Sequence, residues 1–239
     1  MKIKTACLSD CGGRSTNDDT VRIHEDSDCV WVFVGDGLGS YAGGQQASQA
    51  AAEALHNASR RGSLLTDAQM IGAAQQADQA VRAVQRERHG KMKTTLVFLY
   101  IEDGRARWMH VGDSRLYHFS DGCLQSQTMD HSVSQMAVLM GEITQQEIRF
   151  HEDRNRVLRA LGGDNAKPEL SPTIMLTGGK DVFLLCTDGF WEYVYENEME
   201  QTLRTAKTPE AWLKSMEAIL RTRTPSDNDN FTAAAVFCG

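Results

Sequence analysis

The sequence predicts an α+β fold in which helices cover sheets, and three observations predict it. Eight runs are rich in β-branched and aromatic residues; three segments with an apolar period of 3.6 lie among them; and Asp-Gly turns directly follow two of the β-like runs. In chain order, strands are expected over Ile3 to Leu8, Val21 to His24, Cys29 to Val34, Thr94 to Ile101, Arg105 to Val111, Arg115 to Phe119, Val182 to Cys186 and Phe231 to Phe237. Glu102-Asp103-Gly104 and Asp121-Gly122 read as hairpin turns, so part of the sheet should be antiparallel. Helices are expected from Gln45 to about Ser59, from Asp67 to about Arg88 and from Thr208-Pro209 onward. In the second, Met70, Ala74, Ala77, Val81 and Val84 share one face, and Thr66 with Gln69 forms a capping box. The third should bury Trp212, Met216 and Ile219, and Asn155 to Leu161 is read as a further helix whose Arg156 and Arg159 lie on a solvated face.

Composition narrows the possibilities. The chain has 239 residues, 41% hydrophobic and 24% charged, without repeats, low-complexity tracts or linkers, so one globular domain over 1–239 is the expectation. Lys and Arg number 25 against 32 Asp and Glu, a net charge of -7 that offers no basic field for nucleic acid. No apolar stretch is long enough to span a membrane, and Met1-Lys2-Ile3-Lys4-Thr5 does not read as a secretory signal, so a cytoplasmic protein is expected. The six cysteines form no Cys-x-x-Cys pair, and most are expected to be small buried thiols.

Three apolar runs end in Asp followed by a small residue: Val34-Gly35-Asp36-Gly37, Val111-Gly112-Asp113-Ser114 and Cys186-Thr187-Asp188-Gly189. A fourth acid, Asp229, immediately precedes the last strand. Singly, each could be a turn residue. Asp36-Gly37 closes no hairpin, however, and Asp188-Gly189 runs into Phe190-Trp191-Glu192 and not into a returning strand. If the strand ends gather, the carboxylates repel one another unless a cation is present, and an oxygen-only set suits Mg²⁺ or Mn²⁺ better than zinc. The glycines between Gly35 and Gly44 would let a backbone carbonyl approach the metal closely. No cysteine has an arginine six positions later, and neither a Gly-x-Ser-x-Gly elbow nor a Gly-x-x-x-x-Gly-Lys loop occurs.

Taken in order, the motifs resemble those of the metal-dependent protein serine/threonine phosphatases of the PPM (type 2C) class in their bacterial form. They are Arg14-Ser15-Thr16-Asn17-Asp18-Asp19, Val34 to Gly39 with Ala42-Gly43-Gly44, Thr94-Thr95-Leu96, His110 to Arg115, Asp130-His131-Ser132, Asn155 to Gly162, Cys186 to Gly189 and Asp229-Asn230. The resemblance covers nearly the whole chain. It implies a four-layer α-β-β-α sandwich of two mainly antiparallel sheets flanked by helices, with two Mn²⁺ or Mg²⁺ ions at one end. Carried over residue by residue, Asp36 would bridge the ions, the Gly37 carbonyl would bind the first, and Asp188 with Asp229 would bind the second. Asp18 and Asp19 would hold metal-bound waters, Asp113 with Asp188 a third, weaker ion, and Arg14 the substrate phosphate. The ions would activate a bridging water for in-line attack on phosphorus.

The same resemblance implies that the substrates are proteins phosphorylated on serine or threonine. A Ser/Thr kinase is the expected opposing partner, and the chain is expected to act as a monomer. Phe190-Trp191-Glu192-Tyr193 is similar to versions associated with type VI secretion. The chain departs from the family pattern in three places. Leu38 stands where eukaryotic relatives carry a histidine, Asp18 where Glu is usual, and Lys91-Met92-Lys93 where glycines are usual. His110 and His131 are read as structural, and residues 130–164 correspond to a flap near the site. Two alternatives stay open: a pseudophosphatase that binds phosphoproteins, and a hydrolase of small phosphate esters.

Overall fold

The computed structural model describes residues 2–27, 29–39, 43–179 and 181–239. The first half of the chain forms β1 (Ile3–Asp10), β2 (Thr20–Glu25), β3 (Cys29–Gly35), β4 (Gly37–Leu38), α1 (Gly43–Ser59), α2 (Asp67–Arg88), β5 (Lys93–Thr94), β6 (Leu96–Glu102) and β7 (Arg105–Val111). There follow β8 (Arg115–Ser120), β9 (Cys123–Gln127), α3 (Val133–Leu139), a 3-10 turn (Gln145–Phe150), β10 (Glu169–Leu170) and β11 (Ile174–Met175). The chain closes with β12 (Asp181–Cys186), α4 (Asp188–Trp191), α5 (Glu196–Thr205), α6 (Pro209–Arg223) and β13 (Phe231–Cys238).

Two antiparallel sheets result. One has the order β1-β13-β12-β8-β9; the other runs β10-β7-β6-β3-β2, with β11 also on β7. Their facing sides pack Val32, Val34, Val97 and Leu99 against Leu116, Phe183, Leu185, Ala234 and Val236, all fully buried. The outer face of the second sheet carries Trp31, Phe33, Phe98 and Tyr100, covered by the small residues of α1 and the apolar stripe of α2. On the outer face of the first sheet, Tyr117, Phe119 and Leu184 meet Trp212, Leu213 and Met216 of α6 and Met199 of α5. Three apolar layers thus separate four layers of backbone, the sandwich that the motifs imply.

Local chemistry explains the joints. Asp103 and Gly104 (φ 50° and 71°) join β6 to β7, and Asp121 and Gly122 (φ 51° and 75°) join β8 to β9. These left-handed pairs are the type I′ geometry that Asp-Gly favours. Thr66 accepts from the Gln69 N–H at 3.3 Å, while the Gln69 side chain accepts from the Thr66 N–H at 3.0 Å, closing the expected capping box.

Three expectations change. The expected strand from Thr94 is cut at Thr95, whose N–H donates to the Asp36 carbonyl at 2.9 Å instead of extending a ladder. Asn155 to Leu161 is not a helix. Its backbone N–H groups are drawn elsewhere: Leu158 donates to the His131 carbonyl at 2.7 Å and Leu161 to the Thr94 carbonyl at 2.9 Å. Most cysteines are not buried: Cys7, Cys11 and Cys123 are exposed, Cys29 is intermediate, and only Cys186 and Cys238 are buried. Cys7 lies on β1 at the edge of its sheet, where alternate side chains face solvent.

Candidate active site

Topology gathers the strand-end acids. β3 and β7 are both antiparallel neighbours of β6, so Asp36 and Asp113, just beyond their C-terminal ends, share one edge of their sheet. In the other sheet β12 runs antiparallel to β13, so Asp188 after the one lies beside Asp229 before the other. Between them is a cleft of about 340 Å³ whose walls include Arg14, Asp18, Asp36, Gly37, Asp113, Asp188 and Asp229. Asp19 sits behind this wall, buried, accepting from the Thr187 hydroxyl at 2.8 Å. All the acids singled out in the sequence therefore meet at one end of the sandwich.

Hydrogen bonds fix the loops that carry them. The Asp36 N–H donates to Thr95 Oγ1 at 2.8 Å, the Thr94 hydroxyl donates to the Asp36 carbonyl at 2.9 Å, and Thr95 Oγ1 meets Ser114 Oγ at 2.6 Å. One threonine thus ties the Asp36 and Asp113 loops together. Asn230 does the same on the other side. Its Oδ1 accepts from the Asp18 N–H at 2.8 Å, and its Nδ2 donates to the carbonyls of Cys11 and Thr16 at 2.9 and 2.8 Å. Trp191 Nε1 donates to the Asp113 carbonyl at 2.9 Å. Gly37 is packed against the start of α1: an added Cβ would lie 2.3 Å from the Gly44 carbonyl oxygen and 2.4 Å from that of Asp18. Of the glycine-rich stretch, Ser40, Tyr41 and Ala42 lie outside the described residues.

The electrostatics are those of an unneutralised acidic cluster. Burial, then the charges of Asp188, Asp19, Asp113 and Asp229, push the Asp36 carboxyl well above the ordinary range. Burial is also the first cause for Asp113, raised well above that range, for Asp19, raised to about 7, and for Asp188, raised to about 6. Three carboxylate oxygens, Oδ1 of Asp18, Asp19 and Asp113, are buried and accept no hydrogen bond. Such oxygens are costly unless a cation shares them. The donors are all oxygens, which fits a hard divalent ion. Among the described residues of the cleft wall the one cation is Arg14, which donates to Asp229 Oδ2 at 3.3 Å, with both side chains about half exposed.

Some neighbours carry no signal in the sequence that assigns them a role. Thr95, Thr187 and Asn230 stand inside the quoted motifs, but their function in bracing the loops depends on tertiary partners. Glu192, paired with Arg154 at 3.0 Å, is pushed to about 7 by burial first and by Asp188 next. His110 and His131 stack at 4.6 Å between ring centroids, and His131 Nδ1 accepts from the Gly112 N–H at 3.1 Å. Burial lowers both, His131 to about 4. Among the described residues, two other groups of donors have ligand atoms within 4.8 Å of one another: His24, Asp26 and Cys29, and His110, His131 and Glu169.

Comparison with known proteins agrees with this geometry. The serine/threonine protein phosphatase PstP of Mycobacterium tuberculosis is 31% identical over 97% of this chain, which spans only 44% of that longer protein. The solved catalytic domain of PstP in complex with two manganese ions superposes with a TM-score of 0.81 at 30% identity, covering 98% of this chain and 97% of that one. PppA, described as a key regulatory component of the type VI secretion system in Pseudomonas aeruginosa, superposes with a TM-score of 0.80 at 27% identity, covering 100% and 99% of the two chains. The family model described as "Protein phosphatase 2C" matches residues 12–229, and the chain belongs to that family.

Proposed function

We propose that this chain, as one catalytic domain over 1–239, is a metal-dependent phosphatase that hydrolyses phosphoserine and phosphothreonine in proteins. One observation carries the reading: aspartates from both sheets converge on one cleft with raised pKa values and with buried oxygens that have no donor. Folding such a cluster costs free energy that bound divalent ions would return. Two Mn²⁺ or Mg²⁺ ions would be held with Asp36 between them, the Gly37 carbonyl on one and Asp188 with Asp229 on the other. Asp18 and Asp19 would accept from waters of the ions, and Asp113 would hold a third, weaker one.

When bound, the ions supply Lewis acidity and a nucleophilic solvent molecule at neutral pH. The remaining work falls to the chain. Arg14 offers a planar fork suited to two phosphate oxygens, and its long, exposed contact with Asp229 leaves it free to turn. Leu38 lines the cleft and has no proton to give, so the proton for the leaving alkoxide must come from a water or from a group at another position. The enzyme would oppose a Ser/Thr kinase in bacterial signalling, as a cytoplasmic monomer with no nucleic-acid or membrane partner. Among the described residues no helix is long and apolar enough to cross a membrane. Similarity to PppA supports a link to type VI secretion.

The test is hydrolysis of p-nitrophenyl phosphate with Mn²⁺, followed by phosphothreonine peptides, phosphotyrosine peptides and nucleotides. Turnover should require the metal and favour phosphothreonine. Asp36→Asn should cost more than the roughly 10–100-fold typical of groups that merely support a metal ligand. Near-normal turnover of that variant at saturating Mn²⁺ would remove the bridging role, and a preference for nucleotides would overturn the substrate class.

A further inference from the structure

Beside the catalytic cleft lies a second cavity of about 410 Å³, and the two share Leu38, Asn155 and Val157 as a common wall. Lys93, exposed Leu158 and Asp164 complete the part that matters here. Leu38 and Lys93 belong to two of the three departures from the family pattern, Leu38 from its eukaryotic form, and the ladder makes them partners: Gly37 pairs with Thr94 and Leu38 with Lys93. The two departures therefore build one feature.

Lys93 is exposed and, among the described residues, has no ion-pair partner. Its side chain lies along Gly163, where an added Cβ would come 3.6 Å from Nζ. The other cation of this cavity, Arg156, is already paired with Asp153 at 3.0 Å. Asp164, exposed, is the acid of the lining, and it moderates the positive field without pairing to Lys93. Leu38 stands two residues beyond Asp36, about 7 Å along an extended strand. An extended peptide covers the same distance in two residues.

We infer that this side cavity is a specificity subsite in which Lys93 takes an anionic group on the substrate, within about two residues of the phosphorylated serine or threonine, while Leu38 and Val157 pack against that residue's stem. The inference rests on the phosphatase reading and names its preferred substrates: phosphoproteins with an acidic residue or a second phosphate beside the site of hydrolysis. A histidine in place of Leu38 would not give the apolar floor, and a glycine in place of Lys93 would not give the cation.

The experiment is a phosphothreonine peptide series assayed with Mn²⁺, with Ala, Asp, phosphoserine or Lys placed singly at each of the three positions on either side. At one or two positions the wild type should favour Asp over Ala about two- to five-fold in kcat/KM, the range an exposed ion pair supplies, and favour phosphoserine by more. Lys93→Met should flatten the Asp and phosphoserine series, Lys93→Glu should turn the preference toward Lys, and Asp164→Asn should enlarge it. High salt should shrink the wild-type preference. An Asp effect without a phosphoserine effect assigns the subsite to carboxylates, and the converse assigns it to phosphates. If the wild type cleaves these peptides without regard to the flanking charge, or if Lys93→Glu keeps the wild-type order, the subsite is wrong. Failure of the wild type to cleave any peptide would instead strike the phosphatase reading itself.

Discussion

Asp36 carries a heavy electrostatic load, because its carboxyl is desolvated and faces the charges of Asp188, Asp19, Asp113 and Asp229. Removing its charge should therefore have opposite effects on stability and on chemistry. Without metal at neutral pH, Asp36→Asn should melt higher than the wild type, by a few degrees if the relief is about 1 kcal/mol. With Mn²⁺ the wild type should gain more than the variant. Paired thermal scans in chelator and in Mn²⁺ measure this, and a metal-free melting point lowered by the substitution would contradict the account of strain. At this scale the acids were legible in the sequence because Asp after an apolar run is conspicuous when no hairpin follows. Thr95 and Asn230 were not, because what they do depends on Asp36, Ser114, Cys11 and Thr16, which only the folded chain brings to them.

Among the elements, β8 and the short α4 share a buried polar joint. Arg115, wholly inaccessible, donates twice to Asp130 at 2.7 Å and stacks 3.4 Å over the Trp191 ring, whose Nε1 holds the Asp113 carbonyl. Arg115→Leu leaves Asp130 buried without its partner, and the expected loss is about 3–5 kcal/mol. Chemical denaturation measures it, and a loss below about 1 kcal/mol would mean that water reaches Asp130. Adding Asp130→Leu should restore part of the loss. The long elements were readable because their period or composition holds over many residues, as in α2 and β6. Asn155 to Leu161 misled because Val157, Leu158 and Leu161 have helical spacing, yet the backbone there bonds across to His131 and Thr94. Two-residue strands such as β4 and β5 are too short to carry any period at all.

Over the whole molecule, acidity and metal should act against each other. Asp19 and Asp188, raised to about 7 and about 6 from 3.8, bind protons in the folded state that the unfolded chain would already have released. Their contribution to metal-free stability is complete below about pH 4 and is lost as the pH rises through 6 to 7. In chelator, the melting point should therefore fall between pH 5 and pH 8, and fall less steeply in Asp19→Asn and in Asp188→Asn. With excess Mn²⁺ the trend should reverse, since the ion binds only the deprotonated acids. Parallel pH profiles with and without Mn²⁺ would rule this out. The order of the first sheet has a further outcome. β13 lies between β1 and β12, pairing Ile3 with Cys238 and Cys186 with Ala233. The sheet of Asp36 has all its strands once the chain has passed Met175, but the neighbouring sheet waits for β13, an interior strand that follows every other element described. Until β13 is in place, Asp188 and Asp229 have no fixed position beside each other, so the acidic pocket is assembled only by the last pairing of the ladder.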